Sequence, residues 1–541
     1  MTFKILEADT LYESILDARD QQGYTFLLDI TCVDNLTRKS KAPTRFELIY
    51  LLRHHDFKQT IAFKVYVKDE NLGVKSIHAL YKSASWAERE VFDQYGIHFQ
   101  DHPLLKRLLN HEEFIGHPLR KDYDIRDAHF CTKTQDLMDE LKPLLDAKNL
   151  DMDKEDLMVL NIGPSHPATH GTIRTLAALD GEKIVAGVSE IGYLHRGFEK
   201  SCENHNYNQI VPYTDRLNYC SALMNNIAFC KTVEDMLGVT LPDRGIFIRV
   251  IVSELSRAID HLVCLAAGLL DMGGQTNYWY FFNPRNDAYD FLSKLTGARL
   301  TNSFMRVGGM VHDLYDGWQT DLEEVLKKID YGITESKKMI EHNRIFNDRL
   351  QNISPVGAKE AISYGWTGPN LRASGVAYDL RFASAYDFYD NFEFDMVVGS
   401  VGDTYDRMMV RVEEINQSMR IIKQAVKELP KGDICVNDRS IILPPKQCVY
   451  GAIEGMMNQF MLTIDGVKVP AGEHYGAYEA ANGELGFYIV SDGSGTPYKV
   501  KVRPPSFYHM ASYPEIIQEY QIADAILTLG SLNIIAGEMD R

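Results

Sequence analysis

The stretch DTYDRMMVRVEEINQSMRIIKQAVKELPKGD, residues 403–433, carries the clearest structural signal in the chain. Its apolar positions Met408, Met409, Val412, Ile415, Met419, Ile422, Val426 and Leu429 fall at three- and four-residue intervals, the spacing of one helix face. Pro430 and Gly432 then stop the helix, since proline lacks the N–H that the next turn needs. Working back toward the N-terminus, similar patterns predict helices over about 217–236, 245–272, 288–295 and 322–344. Ahead of them the run KIVAGVSEIGY (183–193) is strand-like. After residue 433, GELGFYIVSDGSGTPYKVKVRPPSF (483–507) returns to strand-like composition with glycine-rich turns. This part of the chain reads as a mostly helical domain with peripheral strands, beginning at Met158.

The N-terminal part has a different grammar. FLLDITCVD (26–34), FELIYLL (46–52) and IAFKVYV (61–67) are strands, the last two joined by a polar turn around His54, His55 and Asp56. SIHALYKSASWAEREVFDQYGIHF (76–99) has helical spacing and a glycine stop. The expectation is an α+β chain: a small domain with an antiparallel sheet over 1–126, a charged linker of semi-helical character over 127–157, and the helical domain over 158–541.

Composition excludes several classes of function. A formal net charge of −18, without any Lys/Arg-rich block, opposes binding to a polyphosphate backbone, so nucleic acid is not an expected partner. The longest purely apolar run, Leu262 to Leu270, is about half the length that crosses a bilayer. The acidic N-terminus has no apolar signal core, which places the protein in the cytoplasm as an expectation. No G-x-G-x-x-G or P-loop is present, and GSGTPYK (493–499) reads as a turn, so neither NADH nor ATP is an expected ligand.

The eight cysteines are scattered with no C-x-x-C pair, as expected of small buried residues. His166 and His170 stand four apart in HPATH, but Pro167 argues against the helix that would turn them to one metal, and His54, His55, His98, His102 and His117 read as structural. Tyr219 opens a helical pattern and fits a core tyrosine with a paired hydroxyl. Asp271 closes the apolar run as either a solvated helix end or a carboxylate brought into a cleft. Arg196 fits a surface ion pair as well as anything more specific.

Taken together, these segments resemble one family. WAEREVFDQYGIHF (86–99) and GHPLRKDYDI (116–125) resemble the C subunit of respiratory complex I. NIGPSHPATHG (161–171), IGYLHRGFEK (191–200), YTDRLNY (213–219), ELSRAIDHL (254–262), GLLDMGG (268–274), LRASGV (371–376), GELGFYIVSDG (483–493), VKVRPPSF (500–507) and the terminal Asp540-Arg541 resemble its D subunit, in order. The chain is therefore similar to a C/D fusion. The D family shares its fold with the large subunits of [NiFe] hydrogenases, which hold their metals with two C-x-x-C pairs. Here the matching segments read RLNYCSAL (216–223) and SLNIIAGEMDR (531–541), so the thiolates for such a centre are missing. A non-catalytic assembly scaffold is the other alternative.

The resemblance implies a quinone head-group site in the second domain and a scaffold role for the first. His170 and Tyr219 match the family's quinone-binding pair and Asp271 the acid beside the histidine, all three catalytic by implication. Arg196 lies by implication beside a [4Fe-4S] cluster held by the adjacent B-type subunit. Thr301 stands where many D subunits have a cluster-adjacent histidine. No cofactor is expected on this chain itself, and the implied partners are the B-type iron-sulfur subunit, the membrane H-type subunit and other complex I subunits. The implied location is peripheral, on the cytoplasmic side of a bacterial inner membrane. The chain purified alone is expected to hold no iron, nickel or flavin; stoichiometric iron by elemental analysis, or a visible chromophore, would contradict this.

Overall fold

The computed structural model describes residues 2–38, 42–68, 73–127, 129–151 and 157–541. In the N-terminal module the strands are β1 (Thr2–Leu6), β2 (Phe26–Asp34), β3 (Phe46–Arg53) and β4 (Thr60–Val67), and the helices are α1 (Leu11–Asp20) and α2 (Ala84–Tyr95). The strand order is β1-β4-β3-β2. The three strands expected from the sequence pair antiparallel, and β1 adds to the open edge of β4 in parallel. Gly96 ends α2 in the left-handed conformation, at φ +75°, which its missing Cβ makes cheap.

All nine residues of β2 and all eight of β3 are buried, because the sheet is covered on both faces. Leu27, Cys32, Leu48, Tyr50 and Phe63 pack under α1 and α2. Phe26, Leu28, Ile49 and Leu51 pack instead into a core shared with Trp366, Phe507, Tyr508 and Met539 of the C-terminal module. A strand buried on both faces needs no polar alternation, and FLLDITCVD accordingly buries all its residues, Asp29, Thr31 and Asp34 included.

Helix α3 (Met138–Ala147) lies in the charged segment between the modules, of which residues 152–156 fall outside the described residues. Its Leu141 and Leu145 pack on a three-stranded antiparallel sheet of β5 (Met158–Ile162), β6 (Arg174–Asp180) and β7 (Lys183–Glu190). Next come α4 (Ala222–Leu237), α5 (Asp243–Asp271), α6 (Gln275–Thr296), α7 (Trp318–Ile340) and α8 (Thr404–Glu428). Residues from all five helices build the largest core. A last sheet of β8 (Gly472–Ala480), β9 (Gly483–Ser491) and β10 (Lys499–Arg503) leads into α9 (Pro505–Ile516), α10 (Ile522–Leu532) and α11 (Ala536–Asp540).

Two helices differ from the sequence reading. The segment expected as 288–295 is the end of α6, which begins 13 residues earlier at Gln275. Its first half, QTNYWYFFNP, is aromatic without a period and contains Pro284, so the pattern is hidden. The helix expected over 322–344 ends at Ile340, and a new one starts at Arg344, where the Asn343 side chain accepts from the N–H groups of Ile345 and Phe346.

The core under α2 also holds a carboxyl group. Glu88 is buried and accepts hydrogen bonds from the Ser76 hydroxyl and the Ile77 N–H, at 2.5 and 2.8 Å, and burial pushes its pKa up to about 8 from an ordinary 4.5. Between those values the folded state holds a proton that the unfolded chain has released, so this group lowers stability progressively as pH rises from about 4.5 to 8. Glu88→Gln imitates the protonated acid. Denaturant unfolding of the variant at several pH values should show a gain over wild type that grows between pH 5 and 8; a gain independent of pH would count against this assignment.

Candidate functional site

The turn that carries His170 is built by local hydrogen bonds. After β5, the ring of His166 accepts from the Ala168 N–H at 3.2 Å and caps a single 3-10 turn, Pro167–Thr169, with proline at its first position. The Thr169 hydroxyl lies 2.7 Å from both the His166 and the Gly171 carbonyl oxygens. His166 is thus a capping residue. The turn ends with His170 at φ +53°, a conformation that costs a side chain about 1 kcal/mol or more and persists only where the surroundings enforce it.

In that conformation His170 Nε2 lies 2.7 Å from Asp271 Oδ2, and both side chains are about one-fifth exposed. Asp271 is the last residue of the 29-residue helix α5. A carboxylate there faces the negative end of the helix dipole, so it gains from a donor or cation such as His170. Gly530 of α10 closes over the pair: a Cβ on it would stand 3.5 Å from both Asp271 Oδ2 and His170 Cε1. A methyl group there would rest in ordinary van der Waals contact with the pair.

Tyr219 begins another single 3-10 turn, Tyr219–Ser221, which leads into α4. Asn218 caps it by accepting from the Cys220 N–H at 3.1 Å, and its amide donates to Asp260 of α5 at 2.6 Å. Burial pushes the Tyr219 hydroxyl's pKa up, and among the described residues no hydrogen-bond partner is found for that hydroxyl. A core tyrosine would have its hydroxyl paired. This one is half-buried and available to a ligand.

Arg196 lies on the loop after β7, where its N–H donates to the carbonyl of Arg541 and its guanidinium to the carbonyl of Arg216, both at 3.2 Å. Burial first, and the charge of Arg216 second, push its pKa down. Among the described residues neither arginine has a carboxylate within ion-pair distance, so together they form a cationic patch instead of the surface ion pair that Arg196 alone suggested. The same loop is held by Asp540, which accepts from the Leu194 N–H at 2.8 Å, while the Asp540 carbonyl accepts from His195 at 2.7 Å. Thr301 is half-buried in the loop after α6. Among the described residues no hydrogen bond or ion pair joins it to His170, Asp271, Tyr219 or Arg196.

Sequence reading missed Asp260, Gly530 and Arg216. The signal for Asp260 was a charge on the core side of an apolar helix, where Arg249, Glu254 and Arg257 also sit. One other cluster has metal-ligand types close together, His111, Glu113 and Cys131. Its histidine is already engaged at both nitrogens, near the Lys133 carbonyl at 2.9 Å and the Glu113 N–H at 3.1 Å.

Comparison with known proteins identifies the family. Residues 5–129 match the family described as respiratory-chain NADH dehydrogenase, 30 Kd subunit, and residues 271–541 match the 49 Kd subunit of the same enzyme. The C/D-type subunit of NADH-quinone oxidoreductase from Bdellovibrio bacteriovorus is 47% identical over 97% of this chain and 93% of its own length. The second C/D-type subunit of Aquifex aeolicus is 37% identical over 97% and 92%. The D-type subunit of Myxococcus xanthus is 51% identical over 71% of this chain and 92% of its own length. The chain belongs to the C/D family of NADH-quinone oxidoreductase, in which the 30 kDa and 49 kDa subunits of respiratory complex I form one polypeptide.

Proposed function

We propose that this complex I subunit forms the quinone head-group site, in which His170, Asp271 and Tyr219 serve the reduction of quinone to quinol. The observation that carries the reading is the His170–Asp271 pair, held in a strained turn beneath a glycine. Reduction takes two electrons and two protons, and negative charge grows on the two carbonyl oxygens as electrons arrive. His170 turns Nε2 to Asp271, which leaves Nδ1 for a ligand. In the cationic ring both nitrogens carry hydrogen, and the Asp271 carboxylate accepts from Nε2–H. Nδ1–H then donates first a hydrogen bond and then a proton to one oxygen. The unpaired Tyr219 hydroxyl serves the other. Without these donors a dianion would be stranded in a pocket of low polarity.

A [4Fe-4S] cluster on the B-type subunit would supply the electrons, one at a time. The Arg196–Arg216 patch would offer fixed positive charge toward that cluster. In this reading residues 1–126 form a scaffold, the membrane H-type subunit and other complex I subunits are further partners, and the whole complex couples the reaction to proton translocation. The chain has no helix long and apolar enough to cross a membrane among the described residues. That fits a peripheral position on the cytoplasmic side of a bacterial inner membrane.

Tyr219→Phe should leave the complex assembled but slow quinone reduction. A lost hydrogen bond to developing charge costs about 1.5–3 kcal/mol, roughly 10- to 150-fold in rate. Electron transfer to an artificial acceptor upstream of quinone should survive; a parallel fall in both activities would make the tyrosine structural. His170→Ala and Asp271→Asn should act as one unit, so their double mutant should be far from additive.

Thr301 generates a separate expectation. A histidine beside the cluster gains a proton as the cluster gains an electron, which makes the potential fall by about 59 mV per pH unit. Threonine does not titrate. The terminal cluster should therefore have a nearly pH-independent midpoint between about pH 6 and 8, and Thr301→His should introduce a slope. Redox titration of the paramagnetic signal checks it, and a full slope in the wild type would overturn it.

A further inference from the structure

Asp260 lies in the buried part of α5, at 1% exposure, and among the described residues no Lys, Arg or His is within ion-pair distance of it. Three neutral donors converge on its carboxylate. Oδ2 accepts from the Asn218 amide at 2.6 Å and the Ser221 hydroxyl at 3.1 Å, and Oδ1 accepts from the Asn533 amide at 2.7 Å. Asn218 and Ser221 flank Tyr219, one as the cap of its turn and the other as its last residue. Asn533 caps the C-terminus of α10, three residues beyond the Gly530 that abuts His170 and Asp271.

One carboxylate thus ties the Tyr219 turn to the helix that covers the His170–Asp271 pair. A buried unpaired carboxylate is costly, and packing alone does not ask for one. What it supplies is direction. A carboxylate can only accept, so the Asn218 amide must turn its NH2 to Asp260 and its oxygen to the Cys220 N–H. The Asn533 amide is set likewise, with its NH2 also reaching Asn482 Oδ1 at 2.5 Å. From Asn482 the ladder ends at Ser506 and the buried Glu538, both at 3.4 Å. Asn533 divides its amide hydrogens between Asp260 and Asn482, and Asn482 donates onward, so reversing one amide disturbs the next.

We propose that Asp260 is a positioning residue, which fixes Tyr219 relative to the His170–Asp271 pair by holding Asn218, Ser221 and Asn533 at once. This rests on the reading of His170, Asp271 and Tyr219 as the quinone site. Asp260→Asn leaves one oxygen for two opposed amides, so its NH2 must face the NH2 of either Asn218 or Asn533, and the turn and helix α10 are no longer held at once. In the purified complex kcat for quinone reduction should fall about 10- to 100-fold, as for a reacting group displaced by about 1 Å. KM and electron transfer to an upstream artificial acceptor should stay within about twofold, because the loss is of transition-state geometry. In a Tyr219→Phe background the same substitution should cost little more, since the group it positions is gone.

The double substitution Asp260→Asn with Asn218→Asp is the rescue. It exchanges the two groups, so that the amide now on α5 can donate to the carboxylate now on the turn and accept from Asn533. That carboxylate still caps the Cys220 N–H, so most of kcat should return. A wild-type rate for Asp260→Asn, or a loss that multiplies with that of Tyr219→Phe, would overturn the positioning role. Should Asp260→Asn not assemble, the rescue variant decides: near wild-type kcat supports the proposal, whereas a persistent loss of about tenfold or failure to assemble shows that Asp260 serves folding instead. A wild-type rate for Tyr219→Phe alone would be a different failure, that of the quinone-site reading.

Discussion

The side chain of Arg541, the last residue, is buried at the seam between the two modules, 2.6 Å from Glu90 of α2. Lys501 of β10 reaches the other oxygen of Glu90, and Asp29 of β2 accepts from Tyr508 at 2.8 Å beside them. Burial pushes Asp29 up to about 6, with Lys501 opposing. Removing one partner from such a set costs about 3–5 kcal/mol, because a charge is left without water or counter-ion. A second anchor lies nearby: Arg53 of β3 binds Glu484 of β9 through two nitrogens at 2.8 and 2.9 Å, and Tyr475 supports the same carboxylate at 2.8 Å. The seam has consequences for the site, because it holds the C-terminal helices. Where α11 is pinned, Asp540 fastens the Leu194–His195 loop and Gly537 lies against the carbonyl of Arg216, so close that a Cβ would come within 2.5 Å. The ion pairs of the N-terminal module thus lie against the same C-terminal helix that holds this loop.

The helical core uses the same logic. Glu254 of α5 accepts from Arg257, Arg381, Tyr389 and Ser418, and the arginines, against the cost of burial, hold it down to about 2. Arg372 joins Glu414 of α8 to Glu479 of β8, at 2.7 and 2.8 Å, and His261 also reaches Glu414 at 2.9 Å. Such networks add little net stability over an apolar core. They penalise every arrangement in which a partner is misplaced, which favours one register of α5 against α8. That register matters because α5 carries both Asp260 and Asp271.

At the site itself the arrangement is costly to stability and useful to chemistry. His170 is held with a positive φ, Asp271 sits at the unfavourable end of a helix dipole, and Asp260 is buried without a counter-ion among the described residues. Gly537 removes a side chain where α11 comes closest to the Arg216 carbonyl. Groups left with unused hydrogen-bonding capacity in a partly desolvated place are what a polar substrate with two separated oxygens requires.

Much of this was present in local patterns. The period of residues 403–429, the strands of the first module and the glycine stop at Gly96 followed from side-chain spacing and backbone chemistry, which neighbours along the chain determine. The types His170, Tyr219, Asp271 and Arg196 could be named from ordered motifs. Their state could not. Whether Asp271 was solvated or paired depended on a residue 101 positions away, and whether Arg196 had a counter-ion depended on Arg216 and the C-terminus. The aromatic half of α6 was hidden because its large residues occupy exposed and buried positions alike, Trp279 half exposed and Phe281 buried, and the parallel strand β1 because its pairing is non-local. Asp260 stood in plain view as one charge among several in an apolar helix; only tertiary structure, by bringing Asn218, Ser221 and Asn533 to the same two oxygens, gave it a function distinct from its neighbours. Sequence determines which groups a chain can offer, and the convergence of distant segments in a medium of low polarity decides which of them are paired, strained or free.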